Sequence, residues 1–441
     1  APAIPDNPTE HPMSYRISRR STLGLMAGAA TIAMPHVVRA QTIEVVAHYS
    51  MPPIFKAAME AVAEAFNKKS DKVKVTYSNP TPTYEDGAQL VLRQATTGGM
   101  PDVSFQGLNR LRLFAERRIA ADLKPFLDRE GDVAKIGYSK PILGLGHHGG
   151  VQCGLPFATS NPISYMNVDL LKKVGASAET FPQDWDGVIA LAAKIAALGD
   201  GNSGMFFRWP GDDWMFSALL YGHGGRMLTE DESRVAFDGP EGLAALRLLD
   251  RMVKDGKMPN LTGNADLQSF GAGKMGMMFR TTAQVRQISG TVGSSFELQT
   301  TTLPVIDPVK GRLPTGGAGA MMTAKDPARQ AAAWEFIKFA TSAEGTTLMA
   351  KNTGYVPCNQ LAIDDPMYLG EFYKANPLFQ AATKQVHLMI PWYAFPGQNS
   401  VRVTQVMVDN LARIVEQKAS PEEVLRDMSR EVARLIPRRQ G

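Results

Sequence analysis

Short apolar segments alternate with amphipathic helical patterns between residues 43 and 105. Ile43–His48 and Val73–Tyr77 are rich in β-branched residues and are typical of buried strands. The segment between them predicts a helix, because apolar residues recur there at the spacing of one helix face: Phe55, Met59, Val62 and Phe66. A second predicted helix, 84–97, precedes a third short strand at 103–105. This alternation predicts a parallel sheet covered by helices, the α/β class.

In a sheet of this class, ligands bind in the crevice beyond the carboxyl ends of the strands. The residues that follow the three predicted strands are Tyr49 and Ser50, then 79–84, then 106–109. We therefore expect these three segments to form one rim of a binding site.

The chain has 441 residues, more than one typical domain, and predicts two domains that each bury a core. Its 44% apolar and 20% charged residues are ordinary for a soluble globular protein. The net charge is +4, about half of it from the first 40 residues, and the basic residues are scattered without interleaved aromatics. This pattern gives little support to a nucleic-acid partner.

The first 40 residues form a leader with the features of an export signal. Arg19 and Arg20 precede a weakly apolar segment at 22–34, too short to cross a bilayer as a stable helix. Val38-Arg39-Ala40 follows as a small-residue cleavage site. These features predict a twin-arginine signal cleaved after Ala40, with an ordinary secretory signal as the alternative. Either signal sends the protein to the periplasm, and no cysteine follows to carry a lipid anchor.

The cysteines and histidines fit no metal site. Cys153 and Cys358 are far apart in sequence, and they either pair in the fold or stay as two small buried residues. His147 and His148 are adjacent, so their side chains point in different directions. We expect neither a metal ion nor a cofactor.

Five segments carry a resemblance to a known family. They are LPFATSNPISYMNVDLLKKVG at 155–175, FPQDWDGVIALAAKI at 181–195, FGAGKMGMMF at 270–279, AAAWEFIKFATSAEG through NTGYVP at 331–357, and SVRVTQVMVDNLARI at 400–414. In this order they resemble the extracellular solute-binding proteins of ABC importers, especially the type that binds sugars and glycerol-3-phosphate. The resemblance implies a two-lobe periplasmic binding protein fold (type II, similar to maltose-binding protein), with a helix-covered, mostly parallel sheet in each lobe.

The resemblance also implies lobe boundaries and a function. The first lobe is expected to comprise 41–154 and 273–324, and the second 155–272 and 325–441. The protein is expected to be a monomer that captures a small carbohydrate, a polyol or its phosphate, resembling glycerol-3-phosphate, and delivers it to the transmembrane subunits of an ABC permease. Hinge closure around the ligand would be part of this function.

Position by position, the resemblance implies seven ligand-binding residues: Tyr84, Ser160, Trp209, Thr281, Gly317, Tyr355 and Arg402. Of these, Tyr84, Thr281 and Gly317 are expected on the first lobe, and Ser160, Trp209 and Tyr355 on the second. Aromatic rings suit sugar faces, hydroxyl and amide groups suit oxygens, and arginine suits an anion. Taken alone, Trp209 and Tyr355 are residues of a type more often found as core or interface aromatics than as ligand contacts. Gly317 alone could serve a tight turn, and Arg402 alone would in most proteins be a solvated helix charge.

The chain also departs from the family pattern. Uncharged residues at 106–108 stand where the family has a carboxylate, while Arg280, Trp214 and Asp212-Asp213 add polar groups near the expected cleft. The gain of Arg280 with the loss of a carboxylate would make the site more positive, which is compatible with an anionic ligand but argues against glycerol-3-phosphate itself. The alternative is a glycan hydrolase that uses Asp212 or Asp213 with a second carboxylate. We expect a binding protein and no catalytic residues.

Overall fold

The predicted strands and helices of 43–105 are present in the computed structural model, which describes residues 42–304 and 306–437. The strands are β1 Ile43–His48, β2 Val73–Tyr77, β3 Val103–Gly107, β4 His147–His148, β5 Val151–Gln152, β6 Leu155–Ser160, β7 Pro162–Asn167, β8 Ser203–Phe207, β9 Met275–Thr281, β10 Leu298–Thr302, β11 Leu313–Met322, β12 Val356–Pro357 and β13 Met389–Pro391.

The helices cover both sheets and the connections between them. They are α1 Pro52–Lys69, α2 Tyr84–Thr97, α3 Leu111–Glu116, α4 Lys124–Arg129, α5 Lys140–Gly144, α6 Val168–Lys173, α7 Trp185–Ala196, α8 Trp214–Gly222, α9 Pro240–Lys254, α10 Ala265–Gly271, α11 Val285–Val292, α12 Pro327–Ala340, α13 Ala343–Asn352, α14 Gln360–Asp364, α15 Glu371–Ala375, α16 Ala381–Lys384, α17 Ser400–Val415 and α18 Pro421–Ala433. Short 3₁₀ segments include Leu108–Arg110 and Thr282–Gln284, and Pro366–Gly370 is a π-helix.

The first lobe is built on a sheet with strand order β12-β6-β11-β3-β1-β2, to which β13 adds beside β11. Its core lies between this sheet and helices α1, α12 and α13. The predicted apolar face of α1 is buried in this core: Phe55, Met59, Val62 and Phe66. The helix begins with two prolines, whose fixed backbone angle suits the first helical turn.

The second lobe is built on a sheet with strand order β10-β7-β9-β8. Its core includes the buried faces of α7, α8 and α9, together with those of the C-terminal helices α17 and α18. Helix α18 begins with the predicted cap: the Ser420 side chain accepts from the Glu423 amide, and the Glu423 carboxylate accepts from the Ser420 amide.

The two-lobe α/β fold is confirmed, and its parallel pairs are β1 with β2 and β3, β8 with β9, and β11 with β13. The other pairs within the two lobes are antiparallel, so both sheets are mixed and not mostly parallel as expected. Each of these antiparallel pairs includes β6, β7 or β11, strands next to which the chain crosses from one sheet to the other. For example, β6 and β7 are separated only by Asn161, yet they belong to different sheets.

This sheet pairing corrects the expected lobe boundaries. Strand β6 lies in the first sheet and β9 in the second, the reverse of the assignment of 155–272 and 273–324. Helices α12 and α13 pack in the first-lobe core, although 325–441 was assigned to the second lobe. The lobe to which each strand and helix belongs is decided by pairing between strands that are far apart in sequence. Local sequence patterns do not reveal that pairing.

Cys153 and Cys358 are both buried free thiols. Among the described residues, no helix is long and apolar enough to cross a membrane. The predicted twin-arginine signal and the cleavage site after Ala40 lie outside the described residues.

Candidate functional site

A cavity of about 80 Å³ lies between the two lobes. From the first lobe it is lined by Met51, Tyr84, Ser160, Gly316, Gly317 and Tyr355. From the second lobe it is lined by Arg208, Asp212, Trp214, Arg280, Thr281 and Gln284. Trp392, in the connection after β13, completes the lining. A solute in this cavity would therefore contact both lobes.

Two tyrosines form the first-lobe wall. The hydroxyl groups of Tyr84 and Tyr355 are 3.1 Å apart and share a hydrogen bond. The Tyr355 ring stacks on Phe55, with ring centroids 4.9 Å apart, and the Tyr84 ring lies against Gly107, where a Cβ would come within 3.0 Å of it. Since one hydroxyl donates to the other, the second hydroxyl keeps its proton for the cavity.

Two glycines of β11 let other groups approach the sheet closely. A Cβ on Gly316 would lie 2.8 Å from Ser160 Oγ and 3.0 Å from the Trp214 ring, so glycine lets this second-lobe ring reach the first lobe. Gly317 has φ of 129°, and a Cβ there would lie 1.9 Å from the Ala158 carbonyl oxygen. Only glycine fits at this position without moving backbone.

Arg280 and Thr281 come from the end of β9. The Arg280 side chain is 3% exposed and donates from Nη1 to Asp266 Oδ2 at 2.9 Å, while its Nε has no acceptor. Burial first, and the nearby charge of Arg208 second, lower the pKa of Arg280 to about 10, so the group stays charged at neutral pH. Thr281 Oγ1 accepts from the Ala283 amide at 3.1 Å, which leaves its own proton for the cavity.

Arg208 and Asp212 belong to the connection after β8. The Arg208 side chain is half-buried and donates to no acceptor among the described residues. Asp212 Oδ1 accepts from the Trp214 amide at 3.0 Å, at the start of α8. Burial raises the pKa of Asp212, and the charge of Arg208 opposes this effect.

Trp214 and Trp392 form an aromatic wall. Their ring centroids are 6.4 Å apart at an interplanar angle of 59°. Both rings are buried, and neither Nε1–H has an acceptor. Each tryptophan therefore offers an apolar face with an unused donor at its edge, which suits a hydroxylated ligand.

Five of the seven residues implied by the resemblance line this cavity: Tyr84, Ser160, Thr281, Gly317 and Tyr355. The other two lie elsewhere. Trp209 is buried in the second-lobe core with 5% exposure, and Arg402 is exposed on the first turn of α17, whose buried face is formed by residues such as Val403 and Met407.

The lobe assignment of these residues is also corrected. Ser160 ends the first-lobe strand β6, and Tyr355 packs in the first-lobe core, although both were expected on the second lobe. Thr281 ends the second-lobe strand β9, although it was expected on the first.

Five further residues line the cavity that the sequence did not predict as ligand contacts: Met51, Arg208, Gln284, Gly316 and Trp392. Arg208 follows the end of β8, so the rule that ligands bind beyond strand ends would have selected it. Trp392 lies in an aromatic segment, 391–397, whose position carried no local signal. Arg280, Trp214 and Asp212 were noted as polar additions near the cleft and do line it.

The lining does not provide a pair of carboxylates for glycan hydrolysis. Asp212 is the one acidic residue among the described residues that line the cavity, and Asp213 lies outside the lining. The described residues also contain no group of three or more His, Cys, Asp or Glu side chains that could hold a metal ion.

Comparison with known proteins identifies a family. Residues 61–381 match the model of the bacterial extracellular solute-binding proteins, more than half of the chain. A binding protein of Brucella abortus (strain 2308) is 26% identical over 351 residues, which cover 78% of this chain and 82% of the relative. The sn-glycerol-3-phosphate-binding periplasmic protein UgpB of Escherichia coli (strain 536) is 22% identical over 421 residues, 90% of this chain and 94% of the relative.

Solved structures share the fold. UgpB from Mycobacterium tuberculosis, in complex with glycerophosphocholine, superposes with a TM-score of 0.79 at 20% identity, covering 90% of this chain and 98% of that one. The GacH receptor of Streptomyces glaucescens, solved unliganded and with acarbose, gives a TM-score of 0.76 at 21% identity, covering 90% and 99%. The family consists of binding proteins, which favours solute binding over the glycan-hydrolase alternative.

Proposed function

Because this chain belongs to the bacterial extracellular solute-binding protein family, we propose that it captures a small carbohydrate, polyol or phosphate ester between its lobes and delivers it to the permease subunits of an ABC importer. The observation that carries the proposal is the cavity lined from both lobes by aromatic rings and unused hydrogen-bond donors. The relatives named for sn-glycerol-3-phosphate and the receptor solved with acarbose support this ligand range.

The lining suits a hydroxylated solute. Tyr84, Tyr355, Trp214 and Trp392 offer ring faces for C–H groups, and Ser160 and Thr281 offer hydroxyl groups. We propose that Tyr84, Ser160, Thr281, Gly317 and Tyr355 contact the solute. Since the ligand would touch both lobes, its binding would favour the closed arrangement over an open one.

Location and assembly complete the proposal. We propose that the protein acts as a monomer in the periplasm, after export by a twin-arginine signal cleaved after Ala40. The family and the periplasmic relatives support an extracytoplasmic location.

A thermal-shift screen of the exported protein against sugars, polyols and their phosphates tests the function. A solute that binds only the folded state must raise the apparent melting temperature. Hits are confirmed by isothermal titration calorimetry, and the mixtures are analysed for products. A confirmed hit that is recovered unchanged supports the proposal. No hit in the panel, or cleavage of the added sugar, would refute it.

Tyrosine variants then test the site. Tyr84→Phe removes a hydroxyl that faces the cavity, and we expect about 5- to 10-fold weaker binding of the confirmed hit. Tyr138→Phe is the matched control, because its buried hydroxyl bonds to Thr341 in the same lobe and outside the cavity. The control should lose stability and keep its affinity. Equal affinity of Tyr84→Phe and wild type would remove Tyr84 from the site.

A further inference from the structure

The cavity is lined by several hydrogen-bond donors that are not used within the protein. Three buried N–H groups of its lining have no acceptor among the described residues: Arg280 Nε, Trp214 Nε1 and Trp392 Nε1. A buried polar group without a partner is unfavourable, and native proteins rarely leave one without a reason. A ligand that brings acceptor oxygens would satisfy these donors.

Arg208 adds an unused guanidinium group at the same wall. Its side chain is half-buried, lines the cavity and donates to no acceptor among the described residues. It lies against Gly211, where a Cβ would come within 2.7 Å of Arg208 Nη2, so glycine gives the guanidinium its room. Arginine offers a planar set of donors that matches the paired oxygens of a phosphate or carboxylate.

Arg208 brings a second positive charge close to Arg280, and the Asp212 carboxyl, which lies near both arginines, offsets part of it. Arg280 is paired with Asp266, and both side chains are 3% exposed, so this pair is already neutralised. The charge of Arg208 lies close enough to disfavour the charge of Arg280. An oxyanion between the two guanidinium groups would relieve this like-charge repulsion. Asp212 is then the acceptor available to a neighbouring hydroxyl of the same ligand.

We propose that Arg208 and Arg280 form an oxyanion subsite, and that the solute is an acidic sugar or polyol derivative whose phosphate or carboxylate binds there. This inference rests on the proposed function and narrows its ligand class. It also moves the anion-binding role from Arg402, which is exposed on α17, to two second-lobe residues, Arg208 after β8 and Arg280 in β9.

Calorimetric titration of matched ligand pairs tests the subsite. The pairs are glycerol with glycerol-3-phosphate, glucose with glucose-6-phosphate and glucose with gluconate. The acidic member should bind at least about 100-fold more tightly in one of the pairs, because charge-assisted hydrogen bonds are stronger than neutral ones. Comparison of the two phosphate pairs with the glucose–gluconate pair shows whether the site binds a phosphate or a carboxylate.

Two arginine variants locate the subsite. Arg208→Gln should weaken binding of the acidic member about 10- to 100-fold and change binding of the neutral member less than about 3-fold. Arg402→Gln is the control and should leave both affinities within about 2-fold. Thermal unfolding of each variant establishes that it is folded. Arg280 is left unchanged, because its removal would strand buried Asp266.

The outcomes separate this inference from the proposed function. If no pair shows tighter binding of its acidic member although a solute binds, or if Arg402→Gln weakens acid binding and Arg208→Gln does not, the subsite is refuted while solute capture stands. If no member of any pair binds, and the wider screen also fails, the proposed function is refuted as well.

Discussion

Arg112 donates from its two Nη atoms to the two carboxylate oxygens of Glu232, at 2.6 and 2.7 Å. Arg112 lies on α3 of the first lobe, and Glu232 lies between α8 and α9 of the second. Tyr393 also donates to Glu232, at 2.8 Å. The ion pair therefore joins the two lobes outside the cavity lining, and we expect it to favour the lobe arrangement in which it forms.

We expect Glu232→Gln to weaken solute binding about 3- to 5-fold, because this partly exposed pair contributes on the order of 1 kcal/mol to closure. Small-angle scattering should show a larger mean radius of gyration for the variant. Glu297→Gln is the matched control, since its partner Lys172 lies in the same lobe. If Glu232→Gln binds like wild type at low and high salt alike, the pair has no role in closure.

Trp209 should be a stability residue. Its side chain is buried in the second-lobe core, so Trp209→Ala should lower the free energy of unfolding by about 3–5 kcal/mol. Denaturant unfolding measures this change. The folded fraction should bind solute within about 3-fold of wild type, whereas Trp392→Ala, which alters the cavity lining, should weaken binding about 10-fold or more. If the Trp209→Ala variant is well folded but binds solute weakly, Trp209 contacts the ligand, as the family resemblance implied.

Gly317 should tolerate no side chain. Gly317→Ala would bring a Cβ within 1.9 Å of a backbone oxygen at a positive φ, and we expect a loss of more than about 3 kcal/mol of stability. Gly290→Ala is the control, because Gly290 is an exposed residue of α11 with open space around its Cβ position. It should stabilise the protein by up to about 1 kcal/mol. Similar melting temperatures for the two variants would contradict the strain at Gly317.

Asp213 should make stability depend on pH. Both carboxyl oxygens are buried with no hydrogen-bond partner in the part of the chain that the structure describes. Burial raises the pKa of Asp213 to about 7, with the Arg110 charge opposing the rise. The folded protein then holds a proton that the unfolded chain releases above its ordinary pKa near 4. Stability contributed by this group therefore falls as pH rises from about 4 to 7 and is constant above that range.

The Asp213→Asn substitution removes the carboxyl group whose titration lowers the stability as pH rises. The variant should be more stable than wild type at pH 8, by about 1–3 kcal/mol, and the difference should shrink towards zero near pH 4. Denaturant unfolding across this pH range measures it. A difference that stays constant with pH would mean that another group titrates.

The elements that the sequence predicted correctly are those that depend on interactions between residues close together in the chain. The strands Ile43–His48 and Val73–Tyr77 and the helix Tyr84–Thr97 have the bounds that their apolar spacing indicated. The Ser420–Glu423 cap is likewise a contact between near neighbours in sequence. Five of the seven residues implied by the family resemblance line one cavity: Tyr84 begins α2, Ser160 and Thr281 end strands, Tyr355 lies just before β12, and Gly317 lies within β11.

The remaining features depend on contacts between distant segments. Trp209 and Trp392 are both tryptophans next to proline, and only the packing of complete lobes places one in a core and the other at the cavity. The membership of β6 and β9 follows from strand partners more than 100 residues away in sequence. Similarly, Arg208 donates to no acceptor among the described residues only because of how the assembled cavity surrounds it, which the sequence alone does not show.

The burial of both native thiols makes the protein easy to label selectively. Burial raises the pKa of Cys153 and of Cys358 to about 12, so at neutral pH almost none of either is in the reactive thiolate form. A cysteine engineered near the cleft mouth would be the preferred target of a maleimide dye. The wild-type chain thus already provides the unreactive background that a fluorescent solute sensor needs.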